Sequence, residues 1–445
     1  MDTAPKRLTS ITVAAALAHI LGHFAPLPAE PTRLEDALGR VLAADITADA
    51  DNPPFANSSM DGYAVRAADT HRASRARPCP LRVIGNVAAG YVAAATVGPG
   101  EALRIMTGAP LPPGADAVIR FEDTSEGDAI NQGAPHAANR PPAGEQAAWR
   151  AASGSGLVQL YAAVEPGDSV RPAGEDYQAG QRVLARGTVI RPFEIALLAG
   201  VGRVAVLTHR RPRVAILATG DELVEPGAPL GPGQIRNSNS PGLAAQVQAA
   251  GGIPIPLGIA RDTVAALTAR IEQGMAHAPD LFVSSAGVSV GDYDMVKEVL
   301  DAEGTMHFWQ VQMKPGKPLA FGVLRGVPVL GLPGNPVSAL VSMEQFGRPA
   351  ILRMLGRPAL ARPTVLAQAA APIPNTSGRD HYIRAVVTRD AAGAYHARST
   401  GEQGSGMLTS LTQANAMLLV AADRTLVAAG EPVQAIMLDW PEEVF

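Results

Sequence analysis

The chain has 445 residues, 47% of them hydrophobic, enough for about three domains of roughly 150 residues each. A formal net charge of −4 and a pI of about 6.2 exclude a dedicated nucleic-acid binder, whose footprint is basic. The single cysteine, Cys79, excludes an internal disulfide; no apolar run approaches the roughly 20 residues of a membrane span, and MDTAPKRLTS carries no signal-peptide pattern, so a cytoplasmic protein with no membrane partner is expected.

Residues 1 to about 50 are predicted as two helices and a linker. Ile11 to Leu21 has amphipathic helical spacing, with Thr9 or Ser10 as N-cap. His19 and His23 lie four apart on it without a supporting carboxylate, which makes them surface or interface residues rather than a metal pair. Leu34 to Leu42 is predicted as a second short helix, ended by ADITADADNPPF, where proline forces an extended chain.

From 51 to about 185 the chain reads as β-rich. Leu81 to Val87, Ala102 to Met106, Ala117 to Phe121 and Leu157 to Val164 are short apolar runs between Gly/Pro turns. The polar, Gly/Pro/Ala-rich stretch from Thr124 to Gly156 is expected to be a long hairpin tip without chemistry. In NSSMDGYAV, Asp61 either caps a turn or faces a ligand; RIMTGAPLPPGADAV places Thr107 in a loop, and GEDYQAG does the same for Asp176.

From 186 to about 356 strand-like and helical runs alternate, which argues for a parallel sheet covered by helices, with ligands outside the carboxyl ends of the strands. Polar residues cluster where the apolar runs stop. Thr219, Gly220, Asp221 and Glu222 follow RVAILA, and Arg261 and Asp262 follow IPLGIA. Ser284, Ser285, Gly287, Ser289, Gly291, Asp292 and Asp294 end or follow LFVSS. In GLPGNPVSAL, Gly331 and Gly334 allow close approach to the backbone, Asn335 suits an N-cap and Pro336 the first helical position. Read together, these make an anion-binding corner with free N–H groups at a helix end; read singly, each is equally a stiff turn or a cap. Carboxylates beside such corners attract phosphate through Mg²⁺, which takes one or two carboxylates, waters and phosphate oxygens; Glu222, Asp262 and Asp294 are the candidate ligands. Lys314 and Lys317 in MKPGKP are candidates for an oxyanion, or a solvated turn. No HExxH or GxxxxGK[ST] pattern is present. Residues 362–445 return to short strands and are expected to close a small β-barrel or sandwich.

MDGYAV, RIMTGAPLPPGADAV, GEDYQAG, ATGDEL, SSAGVSVGDYD, KPGKPLAFG and GLPGNPVSAL occur in this order. The chain therefore resembles, over its whole length, the MoeA family of molybdopterin molybdenumtransferases and the homologous E domain of gephyrin. The resemblance implies an α/β plus β multidomain fold. An N-terminal helical and linker domain takes 1–50 and 163–190, and a β-rich domain takes 51–162, with an insertion at 124–156. A molybdopterin-binding type α/β domain takes 191–356 and a C-terminal β-barrel 362–445. It implies adenylylated molybdopterin and molybdate as substrates, AMP release with Mg²⁺, and a homodimer whose active cleft lies between the α/β domain of one subunit and the β-rich domain of the other. It also implies exchange with a molybdopterin adenylyltransferase and with downstream cofactor-processing proteins. The family's functional residues fall on Asp61, Thr107, Asp176, Glu222, Asp262, Asp294, Pro333 and Pro336, with Asp292 a competitor for the role of Asp294. The alternatives are an adenylyltransferase acting on molybdopterin, which is normally a short single domain, and a gephyrin-like scaffold without activity.

Overall fold

The computed structural model describes residues 10–131, 156–285 and 304–440. The chain divides into two compact units, one spanning 45–185 and the other combining the N-terminal residues to 44 with those from 186 onward.

The 45–185 unit is built on a five-stranded sheet. In chain order its strands are β1 (Gly62–Val65), β2 (Ser74–Val87), β3 (Glu101–Ile105), β4 (Ala117–Arg120) and β5 (Leu157–Ala162), and their spatial order is β4-β1-β3-β2-β5. Only β2 and β3 run parallel. All four apolar runs expected here are strands. The stretch expected to be a bare hairpin tip instead begins with a helix, Ser125–Asn131. Glu126 of that helix takes two nitrogens of the buried Arg104 guanidinium, with Nη2 at 2.6 Å, and the Tyr63 hydroxyl at 2.5 Å. The Arg104 guanidinium also stacks 4.6 Å from the Phe121 ring centre. Burial, with Glu126 beside it, pushes the Tyr63 hydroxyl above its ordinary pKa. This ion pair and its hydrogen bonds tie the root of the segment to the sheet, with Arg104 Nη1 left buried without a partner. Residues 132–155 lie outside the described residues.

In the other unit the first helix, α1, is Val13–Leu21, and its N-cap is Thr12, not Thr9 or Ser10: the Thr12 side chain accepts from Ala15 N–H at 3.3 Å. The second expected helix does not form. Only a single turn, Leu34–Asp36, is present. Gly39 then adopts φ +75°, and Val41 and Leu42 bridge to Val189 and Thr208. Apolar spacing over so few residues does not outweigh burial of Val41 and Leu42 in strand pairing.

The centre of this unit is a six-stranded sheet. Its strands are β6 (Arg213–Thr219), β7 (Ile253–Ala260), β8 (Leu281–Ser285), β9 (Gly304–Gln310), β10 (Pro318–Leu324) and β11 (Val327–Leu332), in the order β7-β6-β8-β11-β10-β9. The first four in that order are parallel; β10 and β9 are antiparallel additions. Both faces are covered, as a parallel sheet requires. Val214 and Ile216 of β6 pack with Leu243 and Val247 of α2 (Asn239–Ala249). Ala215 and Leu217 pack with Leu267 and Ile271 of α3 (Val264–Met275). After β11 the chain enters α4 (Pro336–Ser342), then a π-turn and a further helix to Met354.

The C-terminal strands β12 (Thr364–Ala369), β13 (Asp380–Arg389), β14 (Tyr395–Ser399), β15 (Ala416–Val420) and β16 (Pro432–Met437) pair in the order β13-β14-β12-β16-β15, and β15 pairs back to β13. The sheet thus closes into a five-stranded barrel, one of the two forms expected, which leaves no free edge. A short strand, Met313–Lys314, adds to β13 in parallel, so the KPGKP segment lies against the barrel. No helix among the described residues is long and apolar enough to cross a membrane.

Gly316 in that segment has φ +100°, and a Cβ there would lie 2.5 Å from the buried Ser342 Oγ. Gly316→Ala is therefore expected to lower stability by about 1–3 kcal/mol in a denaturant titration. A midpoint equal to wild type would remove the steric role given to Gly316.

Candidate functional site

Because β7, β6, β8 and β11 are parallel neighbours, their carboxyl ends open at one edge of the sheet. A cleft of about 430 Å³ lies there. Glu222 follows β6, Ser285 ends β8, and Pro333, Gly334, Asn335 and Pro336 join β11 to α4; all line it. Thr219, the last residue of β6, is buried. The lining residues not singled out from the sequence include Arg236, Asn239 and Ser338.

Asn239 ties the corner together. Its Nδ2 donates to Ser285 Oγ at 2.7 Å and to Gly334 O at 2.8 Å. The carbonyl of Gly334 can only accept, which settles that the amide nitrogen faces it. The other amide atom, Asn239 Oδ1, is buried without a partner, as is Ser284 Oγ. A buried acceptor without a donor costs about 1–3 kcal/mol, a cost that a ligand atom relieves. Nothing in the NSNSP stretch marks Asn239 by spacing; its role arises from Gly334, 95 positions away.

The GLPGNP corner departs from its expected form in one respect. Asn335 is the N-cap residue and Pro336 the first helical position, but the Asn335 side chain makes no capping bond. Pro336 has no N–H, and that of Val337 donates to Ser405 O at 3.0 Å. The corner therefore offers fewer free donors than its sequence suggests.

Gly220 has φ +148°, and a Cβ on it would meet Glu222 Oε2 at 2.5 Å; glycine is needed for the carboxylate to fold back over the loop. Asp221 and Asp262 are exposed and cross-link the loops after β6 and β7. Asp221 N–H donates to Asp262 Oδ2 at 3.3 Å, and Asp262 N–H donates to Asp221 Oδ1 at 3.4 Å. The sequence left each as a ligand or a helix cap; the geometry shows them bracing two loops, with Thr263 as the cap of α3. Asp262 is not among the residues lining the cleft. The candidates Gly287, Ser289, Gly291, Asp292 and Asp294 lie outside the described residues.

Among the described residues no three His, Cys, Asp or Glu side chains gather as a metal cluster. The cleft lining does include hard oxygen donors: the Glu222 carboxylate, the Ser285 hydroxyl and the amide of Asn239, whose Oδ1 is buried without a partner. One carboxylate with neutral oxygens suits Mg²⁺, which fills its remaining positions with water and phosphate oxygens.

A second polar group forms where KPGKP meets the barrel. Lys314 lies opposite His381 in the strand pairing. Arg379 Nη1 donates to Met313 O at 3.3 Å. The fully buried Arg384 donates through Nε to Ser410 Oγ at 3.0 Å and through Nη2 to Gly404 O at 3.1 Å. Its Nη1 and both ring nitrogens of His381 are buried without partners. Burial, then Lys314, Arg384 and Arg379, pull the His381 pKa down to about 4. No carboxylate pairs with these cations among the described residues. A fully buried guanidinium with two half-buried cations beside it, and no anion paired to them among the described residues, suits an oxyanion. Lys317 is exposed nearby in sequence. Sequence reading found the two lysines but took HYIRAVVTRD for a plain strand; the basic residues Arg379, His381 and Arg384 were the missed signal.

In the 45–185 unit, Asp61 and Thr107 are brought together. Asp61 Oδ1 accepts from Thr107 N–H at 2.6 Å and from its hydroxyl at 2.8 Å. Asp176 Oδ2 accepts from Asn52 Nδ2 at 3.0 Å, and Asp176 N–H donates to Asn52 O.

Comparisons with known proteins agree with this architecture. Residues 11–202 match the description "MoeA N-terminal region (domain I and II)", 215–353 match "Probable molybdopterin binding domain", and 367–438 match "MoeA C-terminal region (domain IV)". A molybdopterin molybdenumtransferase of Nostoc sp. is 37% identical over 409 residues, covering 90% of this chain and 87% of the relative. Molybdopterin molybdenumtransferase 2 of Mycobacterium tuberculosis is 37% identical over 407 residues, covering 90% and 93%. A crystal structure of the molybdopterin biosynthesis moeA protein from Pyrococcus horikoshii superposes with a TM-score of 0.78 at 32% identity, covering 97% of this chain and 100% of that one. A central molybdopterin-binding type α/β domain with flanking β domains is the build of a molybdenum-cofactor biosynthesis transferase. The chain belongs to the MoeA family of molybdopterin molybdenumtransferases.

Proposed function

We propose that the chain transfers molybdenum from molybdate into adenylylated molybdopterin with release of AMP. The observation that carries this reading is the pair of sites in one unit: an oxygen-donor cleft at the strand ends, and an unpaired cation cluster around Lys314. The first suits a diphosphate-linked substrate, the second a tetrahedral oxyanion. Glu222, Asn239 and Ser285 hold and orient the diphosphate region, and Pro333 to Pro336 form a stiff wall whose ordering cost is already met in the free protein. Mg²⁺, held by Glu222 with Asp262 or Asp294 as outer support, would supply neutralisation of charge on the phosphates. Lys314, Lys317, His381 and Arg384 receive molybdate. Asp61, Thr107 and Asp176 belong to the same functional set, which their individual substitution tests. No protein nucleophile is required. The reading includes a cytoplasmic homodimer, fed by a molybdopterin adenylyltransferase and followed by cofactor-processing proteins.

The test is AMP release from adenylylated molybdopterin by the purified chain with Mg²⁺, with and without molybdate. Release that needs molybdate supports the reading. Release at full rate without molybdate breaks the coupling, and ATP-dependent adenylylation of free molybdopterin moves the enzyme to the preceding step.

A further inference from the structure

We infer that Arg236 is the residue that grips the phosphate groups of the substrate in the α/β cleft, a step that rests on the transferase reading above and extends it to a named specificity contact. Arg236 ends the short strand Ile235–Arg236, which pairs in parallel with Leu223–Val224, the two residues after Glu222. Ile235 N–H donates to Glu222 O at 2.9 Å and Asn237 N–H to Val224 O at 2.8 Å. The backbones that carry the cleft's carboxylate and its guanidinium are therefore bonded to each other, and their separation is fixed.

The guanidinium is anchored at one corner only. Its Nε donates to Pro226 O at 3.1 Å, and its two terminal nitrogens have no ion pair or hydrogen bond among the described residues. Among the described residues lining the cleft it is the only cation, and Glu222 the only anion. A diphosphate brings further negative charge beside Glu222, and that charge needs compensation on the same wall. The GLPGNP corner supplies little of it, because Pro336 has no N–H and Val337 spends its own on Ser405. The Lys314 cluster sits against the barrel strand and is assigned to molybdate. Among the described residues the remaining demand falls on Arg236, whose two terminal nitrogens match two phosphate oxygens, a two-point contact that lysine does not reproduce.

Calorimetric binding of ADP and of adenosine to the full chain with Mg²⁺ tests this, using wild type, Arg236→Ala and Arg236→Lys. The expected result is an ADP Kd raised about 10-fold in Arg236→Ala and by less in Arg236→Lys, with adenosine affinity and the unfolding midpoint unchanged. The proposal is overturned if wild type does not bind ADP, if Arg236→Ala binds ADP as wild type does, or if adenosine affinity falls in the same proportion. The AMP-release assay separates the two claims. An inactive wild type removes the transferase reading while the ADP result still judges Arg236. An active wild type with an unchanged KM in Arg236→Ala removes Arg236 alone.

Discussion

Glu222→Gln is expected to lower molybdate-dependent AMP release by about 100-fold, with the unfolding midpoint close to wild type. Gln keeps the size of the side chain and one acceptor but removes the charge. Glu222 is exposed at the cleft and carries no ion pair among the described residues, so its loss leaves no buried partner behind. A stability effect is for that reason expected to be small. The kinetic effect is expected to be large because Glu222 is the only carboxylate lining the cleft among the described residues. Asp262→Asn provides the contrast. Its carboxylate accepts from Asp221 N–H and braces two loops, so the expected loss is smaller and accompanied by a shift in KM. Equal rates for Glu222→Gln and wild type would take the chemistry out of this cleft.

The second large effect is a pH dependence centred on His381. Its folded pKa is about 4, against an ordinary value of 6.5. Below pH 6.5 the unfolded chain takes up a proton that the folded chain refuses. The stabilising contribution of neutral His381 is therefore complete above pH 6.5 and is lost progressively as pH falls toward 4. The difference in pKa corresponds to a loss of order 3 kcal/mol by pH 4. Denaturant midpoints measured from pH 7.5 to 4.5 should fall for wild type and fall less for His381→Gln. Molybdate should reverse the trend, because an anion beside His381 favours its protonated form and raises its pKa. In Lys314→Ala the half-saturating molybdate concentration should rise about 10-fold, while ADP binding stays at wild type. A proton-independent midpoint would show that His381 already has a protonated, paired form in the folded chain. Loss of ADP binding in Lys314→Ala would merge the two sites into one.

Much of the architecture is legible along the chain because parallel sheets write themselves as apolar runs separated by helical spacing. RVAILA, IPIPLGIA, LFVSS and PVLGL are each a strand, the first, third and fourth largely buried, and among the described residues Glu222, Ser285 and Pro333 to Pro336 line one cleft at the strand ends. Local capping was only partly legible: Asn335 and Pro336 take the N-cap and first helical positions, but the Asn335 side chain makes no capping bond, and Thr12 rather than Thr9 or Ser10 caps α1. Local pattern failed where a distant partner competed, as when Val41 and Leu42 left a short helical pattern for Val189 and Thr208. The sequence alone determined the family motifs, the parallel sheet and the corners that bear Glu222 and Pro333 to Pro336. Only the tertiary structure decided that Lys314 faces His381, that Asn239 locks Gly334 to Ser285, and that Ser405 takes the N–H of Val337. The reason is physical. A strand or a cap is decided by neighbours within a few residues, whereas a buried cation or amide is decided by whichever distant groups share its loss of water.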